Sequence, residues 1–317
     1  MDRRDFIKTT GKTLAFAAAT TAAGVLFHNR RVAGVEPIVL KTSDFTVPTE
    51  KSLPQIALAK NTDHIAALHA SLDVVGGIKH FIRKGDRVTI KPNIGWDRTP
   101  EQGADTNPVL VGEMARLCLA AGAALVIVTD IPCNEPRRCF LRSGIRAEAE
   151  KAGAKVILPL EEDYIRTVMG GQMLDVWPVL KYFVQTDKLI NMPIAKHHSL
   201  SSFTGSMKNF YGILGGRRSQ LHQKIDQSIV ELATFSKPTL TVVDCTRVML
   251  RGGPTGGSLD DVAIENSVIC ATDMVAADSR ASEFLSLTGE QVGHIALADR
   301  SGLGKLDYRS VGYKEIT

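Results

Sequence analysis

The sequence predicts an α/β protein with a mostly parallel sheet and helices on both faces. Three observations predict it. Short apolar runs of strand length alternate with longer segments that place apolar residues at helical spacing. The strand-like runs are apolar throughout, as strands buried on both faces are, with no regular polar alternation. The chain has 317 residues, 44% hydrophobic and 23% charged, enough to bury a large core.

The elements follow in order after a Pro- and Ser-containing linker over residues 35–54. Gln55–Ala59 reads as a strand and Asp63–Arg83 as a helix. Gly85-Asp86 turns the chain into the β-rich run Arg87–Ile90. Pro108–Ala121 is helical, and Ala124–Val128 is a continuous apolar strand ending at Thr129-Asp130. A helix over Leu141–Ala152 leads to a strand at Lys155–Leu158. Lys188–Met192 is the next strand and Ile225–Phe235 the next helix. Thr239–Val243 and Val268–Ala271 are further strands, and Met274–Leu287 is a closing helix. Residues 55–317 are therefore expected to form a single α/β domain, with a smaller subdomain around residues 130–185 as the alternative.

Residues 1–34 read as an address. Arg3-Arg4-Asp5-Phe6-Ile7-Lys8 precedes an apolar, alanine-rich stretch from Leu14 to Phe27, the pattern of a twin-arginine signal peptide. Asp2 stands where that motif usually has Ser or Thr. The apolar stretch is short for a membrane span, which needs roughly 20 residues. The expected location is periplasmic or otherwise exported, with the twin-arginine export machinery as a partner. Contact with the inner membrane is expected only through an uncleaved signal acting as an anchor.

The net charge of +4 is small for this length, and no basic stripe interleaved with aromatics supports nucleic-acid binding. Five cysteines are an odd number and imply no complete disulfide framework. Cys133 and Cys139 read as two unrelated thiols or, in an oxidising compartment, a disulfide. No tight run of cysteines supports an iron–sulfur cluster.

Chemistry collects at the ends of the strands. Arg87–Ile90 runs into Lys91-Pro92-Asn93, and Lys188–Met192 into Pro193 through His198. Thr239–Val243 ends at Asp244 and Val268–Ala271 at Thr272-Asp273. Ligands of open parallel sheets bind outside the carboxyl ends of the strands. If all these strands are parallel, Lys91, Asn93, Lys196, His198, Asp244 and Asp273 converge on one crevice. Asp273 also opens a helix and suits its N-cap, and Asp130 and Asp244 suit turns.

The most distinctive segment is Ser202–Gly212, which mixes glycines, hydroxyls, Lys208 and Asn209 directly after a Lys-His-His cluster. Beside Lys196 and Lys208, such a turn suits a phosphate or carboxylate, although the Walker order of Gly-Lys-Ser/Thr is absent. His222 and Asp226 lie four apart and are expected on one helix face. With His198 they are candidate ligands for a metal ion, or a base with its orienting carboxylate.

Lys91-Pro92-Asn93, Thr106-Asn107-Pro108, Asn191-Met192-Pro193 through His198, Thr204-Gly205 with Lys208-Asn209 and Gly212, His222, Asp244, Gly253-Pro254 with Gly256, and Asp273 with Ala276 and Asp278 carry a resemblance. In order and spacing they resemble the domain-of-unknown-function family 362 over about residues 55–307. The resemblance implies the fold more than an activity. Members often carry a twin-arginine signal. Some add a ferredoxin-like domain, which this sequence lacks, so electron transfer through clusters is not implied. His198 aligns with the family histidine.

The expected function is an enzyme that holds a small anionic molecule, with Lys196, His198, Lys208 and Asp244 as catalytic candidates. Lys91, Asn93, Thr106, Thr204, Gly205, Asn209, Gly212 and Asp273 are the binding candidates. Lysine–histidine sites of this kind suit proton abstraction beside a carboxylate. The alternatives are a non-catalytic ligand- or cofactor-binding protein, or an accessory subunit with a protein partner. The cofactor is unspecified, a metal ion being the candidate.

Overall fold

A computed structural model of the chain describes residues 2, 38–39, 43–48, 50 and 52–317. The expected signal or anchor lies, Asp2 apart, outside the described residues, as does part of the linker. No helix among the described residues is long and apolar enough to cross a membrane.

The first strand of the central sheet, β1 (Ile56–Lys60), shows why the run Ile56–Ala59 is apolar on every residue. Ile56 and Leu58 enter the core on one face of the sheet, Ala57 and Ala59 the core on the other. The helix expected over Asp63–Arg83 is two helices, α1 (His64–Val74) and α2 (Ile78–Phe81). Gly76 and Gly77 part them, with φ of +116° and +71°, backbone conformations that glycine alone adopts without strain. Then come β2 (Arg87–Pro92), α3 (Pro108–Ala120, with Pro108 in its first turn and Asn107 as cap) and β3 (Leu125–Val128). The single helix expected next is α4 (Pro136–Arg142) and α5 (Ile145–Lys151), divided at Gly144 with φ of +73°.

The short β4 (Lys155–Val156) completes one edge of the sheet. Outside the central sheet, Tyr164–Val168 and Val176–Leu180 pair antiparallel, with Ile38–Val39 alongside. The chain returns with β5 (Lys188–Met192), β6 (Ile194–His198), β7 (Ser202–Thr204) and the one-turn helix α6 (Ser206–Asn209). It ends through α7 (Ile225–Phe235), β8 (Leu240–Met249), β9 (Val262–Ala271), α8 (Met274–Ser282), α9 (Gly293–Arg300) and β10 (Lys314–Ile316).

The ten-stranded sheet runs β10-β1-β9-β8-β5-β2-β3-β4, with β6 paired to β8 and β7 to β6. It is mostly parallel. The antiparallel pairings are those of β9 with β1 and β8, and of β7 with β6. Helices α1, α3, α4 and α5 bury Leu68, Leu72, Val111, Ala115, Phe140 and Ile145 against one face. On the other, Ile229, Leu232, Val275 and Ile295 of α7, α8 and α9 pack over Leu189, Val243 and Ile269. The α/β class with helices on both faces is as the sequence predicts. Two features of the topology differ from it: β9 is reversed, and β8 continues five residues past Asp244.

Candidate functional site

Beyond β2, β5 and β6 lies a cavity of about 500 Å³ whose walls include Asn93, Asp130, Cys133, Lys196, His198, Thr204, Lys208, Asn209, Tyr211, Gly212, Arg218 and His222. Its floor is a connected polar network. The ammonium of Lys91, fully buried, donates to Asp130 Oδ1 at 2.7 Å and to Asn209 Oδ1 at 3.2 Å. Asp130 Oδ2 in turn accepts the backbone N–H of Ile94 at 2.6 Å. Asn93 donates to Asn209 Oδ1 at 3.0 Å, and its own Oδ1 accepts from Lys196 Nζ at 3.1 Å. Asn209 Nδ2 donates to Asn191 Oδ1 at 2.8 Å. Lys196 also donates to the carbonyl of Ala104. Two of the three cavity lysines, Lys91 and Lys196, are thus held by acceptors, as buried charges must be.

Lys208 is held differently. It sits on α6, which Asp278 pins by accepting the backbone N–H groups of Ser206 and Met207. Its Nζ lies 3.6 Å from the ring centroid of Tyr211. No hydrogen bond or ion pair to another side chain ties it among the described residues. Burial, with Lys196, Arg218 and Lys91 adding to it against an opposing contribution from Cys133, lowers Lys208 to about 7.

The two histidines of the cavity stack with ring centroids 6.3 Å apart and planes 12° from parallel. Their hydrogen bonds run in opposite senses. Nδ1 of His198 accepts the backbone N–H groups of Leu200 and Ser201 at 3.1 and 3.2 Å. A nitrogen that accepts carries a lone pair, so the proton of neutral His198 is on Nε2. Burial, and then the charges of Lys208, His222 and Lys196, lower His198 to about 3, so the ring is neutral. Nδ1 of His222 instead approaches the carbonyl of Ser219 at 3.2 Å. A carbonyl only accepts, so Nδ1 bears the proton and Nε2 keeps the lone pair. Burial and Lys208 lower His222 as well.

Positive charge exceeds negative in the cavity. Asp130 is taken by Lys91, and the buried Asp105 lies near Lys196 and accepts from the backbone of Trp96 at 3.0 Å. Burial pushes the Asp105 carboxyl up and the Lys196 ammonium down. Arg218 donates three hydrogen bonds, to the carbonyls of Ile131, Pro132 and Tyr211 at 2.9 to 3.1 Å, which leaves its charge uncancelled and its other N–H groups free of these carbonyls. Arg217, exposed at the rim, adds another cation.

Of the residues read from the sequence, Asn93, Lys196, His198, Thr204, Lys208, Asn209, Gly212 and His222 line the cavity. Lys91 lies directly beneath it. Thr106 stands one step back, its hydroxyl accepting from Asn93 N at 2.8 Å and donating to Met192 O at 2.7 Å. Gly212 has no room for a side chain, because a Cβ there would overlap Asp130 Oδ1 and Lys91 Nζ. Gly205 is set back too, its close approach being to Asp278 and Phe203.

Three placements differ from expectation. Asp273 caps α8, accepting from Val275 and Ala276 at 2.8 and 3.0 Å and from Lys305 at 2.9 Å. The reversal of β9 carries its end away from the carboxyl ends of the other strands. Asp244 lies within β8, because that strand continues to Met249. It accepts from Asn107 N and from both the backbone and hydroxyl of Thr246, at 2.7 to 2.9 Å. Asp226 faces buried His294, 3.6 Å away, rather than the cavity. His222 belongs to a 3₁₀ helix, Arg218–Lys224, that ends before α7 begins, so a spacing of four does not put it on Asp226's face.

His198, His222 and Asp226 therefore do not form a ligand set, and His198 spends its Nδ1 lone pair on two backbone donors. Among the described residues no three His, Cys, Asp or Glu side chains are grouped to hold a metal ion. The five cysteines are free thiols, Cys133 on the cavity wall and Cys139 in the core. Asp130, Asp105, Tyr211 and Arg218 were not among the site residues read from the sequence. Asp130 had a usable signal, since it follows β3 just as Lys91 lies at the carboxyl end of β2; Arg218 had only the basic, glycine-rich run around it.

A cavity at the carboxyl ends of a mostly parallel α/β sheet, lined by lysines and histidines, defines a class of small-ligand site. The chain belongs to the family of the domain of unknown function DUF362, which it matches over residues 88–283. A thylakoid-associated protein of Synechocystis sp. is 25% identical over 253 residues, 75% of each chain. Among solved structures, the lactate racemase apoprotein of Thermoanaerobacterium thermosaccharolyticum aligns at 12% identity and a TM-score of 0.45, over 78% of this chain and 59% of that one. A Thermotoga maritima protein aligns at 11% identity and a TM-score of 0.37, over 75% of this chain and 58% of that one. The chain thus spans less than two thirds of either solved structure.

Proposed function

We propose that the cavity is the active site of an enzyme that moves a proton on a small organic anion. The observation that carries this reading is the opposed hydrogen bonding of the stacked histidines. Nε2 of His198 is a fixed donor and Nε2 of His222 a fixed acceptor, and both belong to side chains that line one cavity. A neutral imidazole donor stabilises oxygen charge as it develops, and an imidazole lone pair removes a proton. In this reading His222 takes a proton from the carbon beside a carboxylate or carbonyl, while His198 donates to the enolate oxygen. Arg217 and Arg218 supply the positive charge that an anionic substrate neutralises.

Proton NMR in deuterium oxide tests it, by following exchange of the α-hydrogens of small 2-oxo and 2-hydroxy acids. Exchange that is lost in His222→Asn, with the melting temperature unchanged, supports the reading. Tight binding of the same acids without exchange would instead favour a non-catalytic binding protein. Neither binding nor exchange would move the function to a protein partner's interface.

Export is part of the proposal. The Arg3-Arg4 leader and a relative described as thylakoid-associated support it. Fractionation of cells expressing the wild type and Arg3→Lys/Arg4→Lys tests the route, with retention of the double variant in the cytoplasm expected.

A further inference from the structure

We infer that Lys208 is a nucleophile that captures the carbonyl carbon of an aldehyde or 2-oxo acid as an imine. The inference rests on reading the cavity as a site for small organic anions and names the substrate class within it. Lys91 and Lys196 are each fixed by acceptors on the cavity floor, so their lone pairs are unavailable. Lys208 has no such partner, is only 8% exposed, and lies against the face of Tyr211 in the wall of the same cavity. A desolvated lysine beside other cations holds a reactive neutral amine at ordinary pH, and the lowering to about 7 agrees with that placement.

The chemistry balances without any further reagent. The Lys208 nitrogen forms a bond to the carbonyl carbon as the C–O π bond opens. The resulting carbinolamine loses its oxygen as water, its second proton coming from nitrogen, and a C=N bond remains. No electrons are gained or lost. The His198 Nε2–H donates to the oxygen as it leaves. Taking up one proton from solvent, the imine nitrogen becomes an iminium, which lets His222 remove the proton of the neighbouring carbon more readily than the free ketone does. Arg217 and Arg218 remain to receive a carboxylate, which selects 2-oxo acids over neutral aldehydes.

Borohydride trapping with peptide mapping decides the matter. Full-length protein is incubated with pyruvate and sodium borohydride, digested, and read by mass spectrometry, beside Lys208→Arg and Lys151→Arg, the latter at an exposed lysine outside the cavity lining. A reduced adduct on the Lys208 peptide, present in Lys151→Arg and lost in Lys208→Arg, is the expected result. No adduct in the wild type, or an adduct confined to another lysine, overturns the inference. The wild-type map decides even where Lys208→Arg does not fold. Deuterium exchange without trapping would sink the imine and leave the proton-transfer reading standing; trapping that persists in an exchange-dead His222→Asn would separate the two steps.

Discussion

Lys91 and Asp130 form an ion pair of 2.7 Å with side chains 0% and 3% exposed, directly beneath the glycine at position 212. No side-chain carbon separates this pair from the cavity wall that Gly212 provides. Its geometry is good and its remaining valences are used, by Ile94 N on the acid and by Asn209 and the Pro92 carbonyl on the base. Those are the conditions under which a buried pair holds together, and removing one partner strands the other.

Asp130→Ala is therefore expected to cost about 3–5 kcal/mol in urea unfolding. A Lys91→Met/Asp130→Leu double variant should regain much of that stability while losing the cavity's ligand. Gly212→Ala should cost about 1–3 kcal/mol through overlap with the same pair. Midpoints near wild type for Asp130→Ala would show that the pair is not structural.

His222→Asn is expected to lower α-proton exchange by roughly 10²–10⁴-fold, the usual contribution of a positioned base. His198→Phe keeps a ring against His222 but deletes the Nε2 donor, and exchange should fall there too. Equal melting temperatures alongside these losses are the control. Unaltered exchange in His222→Asn would remove the base from the mechanism.

Lys208 makes stability depend on pH in a definite sense. Its folded-state value of about 7 lies below its ordinary 10.5, so between these values the unfolded chain binds more protons than the folded one. Stability from this group therefore rises with pH across that window, and its penalty is fully present below about pH 7. Lys196 is shifted in the same direction, so the comparison must be with Lys208→Met. That variant should exceed the wild type in melting temperature most at pH 6, and the gap should close by pH 10. A gap that widens with pH would reverse the assignment.

Asp273→Ala removes an acceptor shared by two backbone N–H groups at the start of α8 and by that of Lys305. Loss of such a cap should cost about 1–2 kcal/mol. Binding of a 2-oxo acid, measured by calorimetry on the folded variant, should match wild type. A binding defect without a stability defect would return Asp273 to the ligand site.

The fold was legible because burial on both faces leaves a plain mark: Ile56 and Ala57 point opposite ways and both must be apolar. Strand ends found Asn93, Lys196 and His198, since β2, β5 and β6 all run the same way. That rule failed where direction is set by partners rather than by composition. Nothing in VAIENSVICA says that β9 pairs antiparallel with both neighbours, and so Asp273 was grouped with residues it does not meet. The apolar run stops at Val243, so the sequence sets Asp244 at a strand end, yet Thr246 supplies the hydrogen bonds that satisfy its carboxylate while β8 continues. Helix breaks at Gly77 and Gly144 depend on positive φ, which a helical pattern of apolar residues does not register. The network through Asn191, Asn209 and Asn93 joins Asn93 to Asn209, 116 residues away, and no local spacing carries that link.

The opposed protonation of His198 and His222 is written in the main chain. Leu200 N and Ser201 N fix one ring and Ser219 O the other, and every residue type but proline supplies the same N–H. Side chains at 199–201 and 219 can therefore drift without exchanging donor for acceptor. A proline at 200 or 201 removes one of the two donors and leaves the other; prolines at both, or a change in the length of either loop, would erase the polarity of the pair, so mutational tolerance here is a matter of loop geometry rather than residue identity.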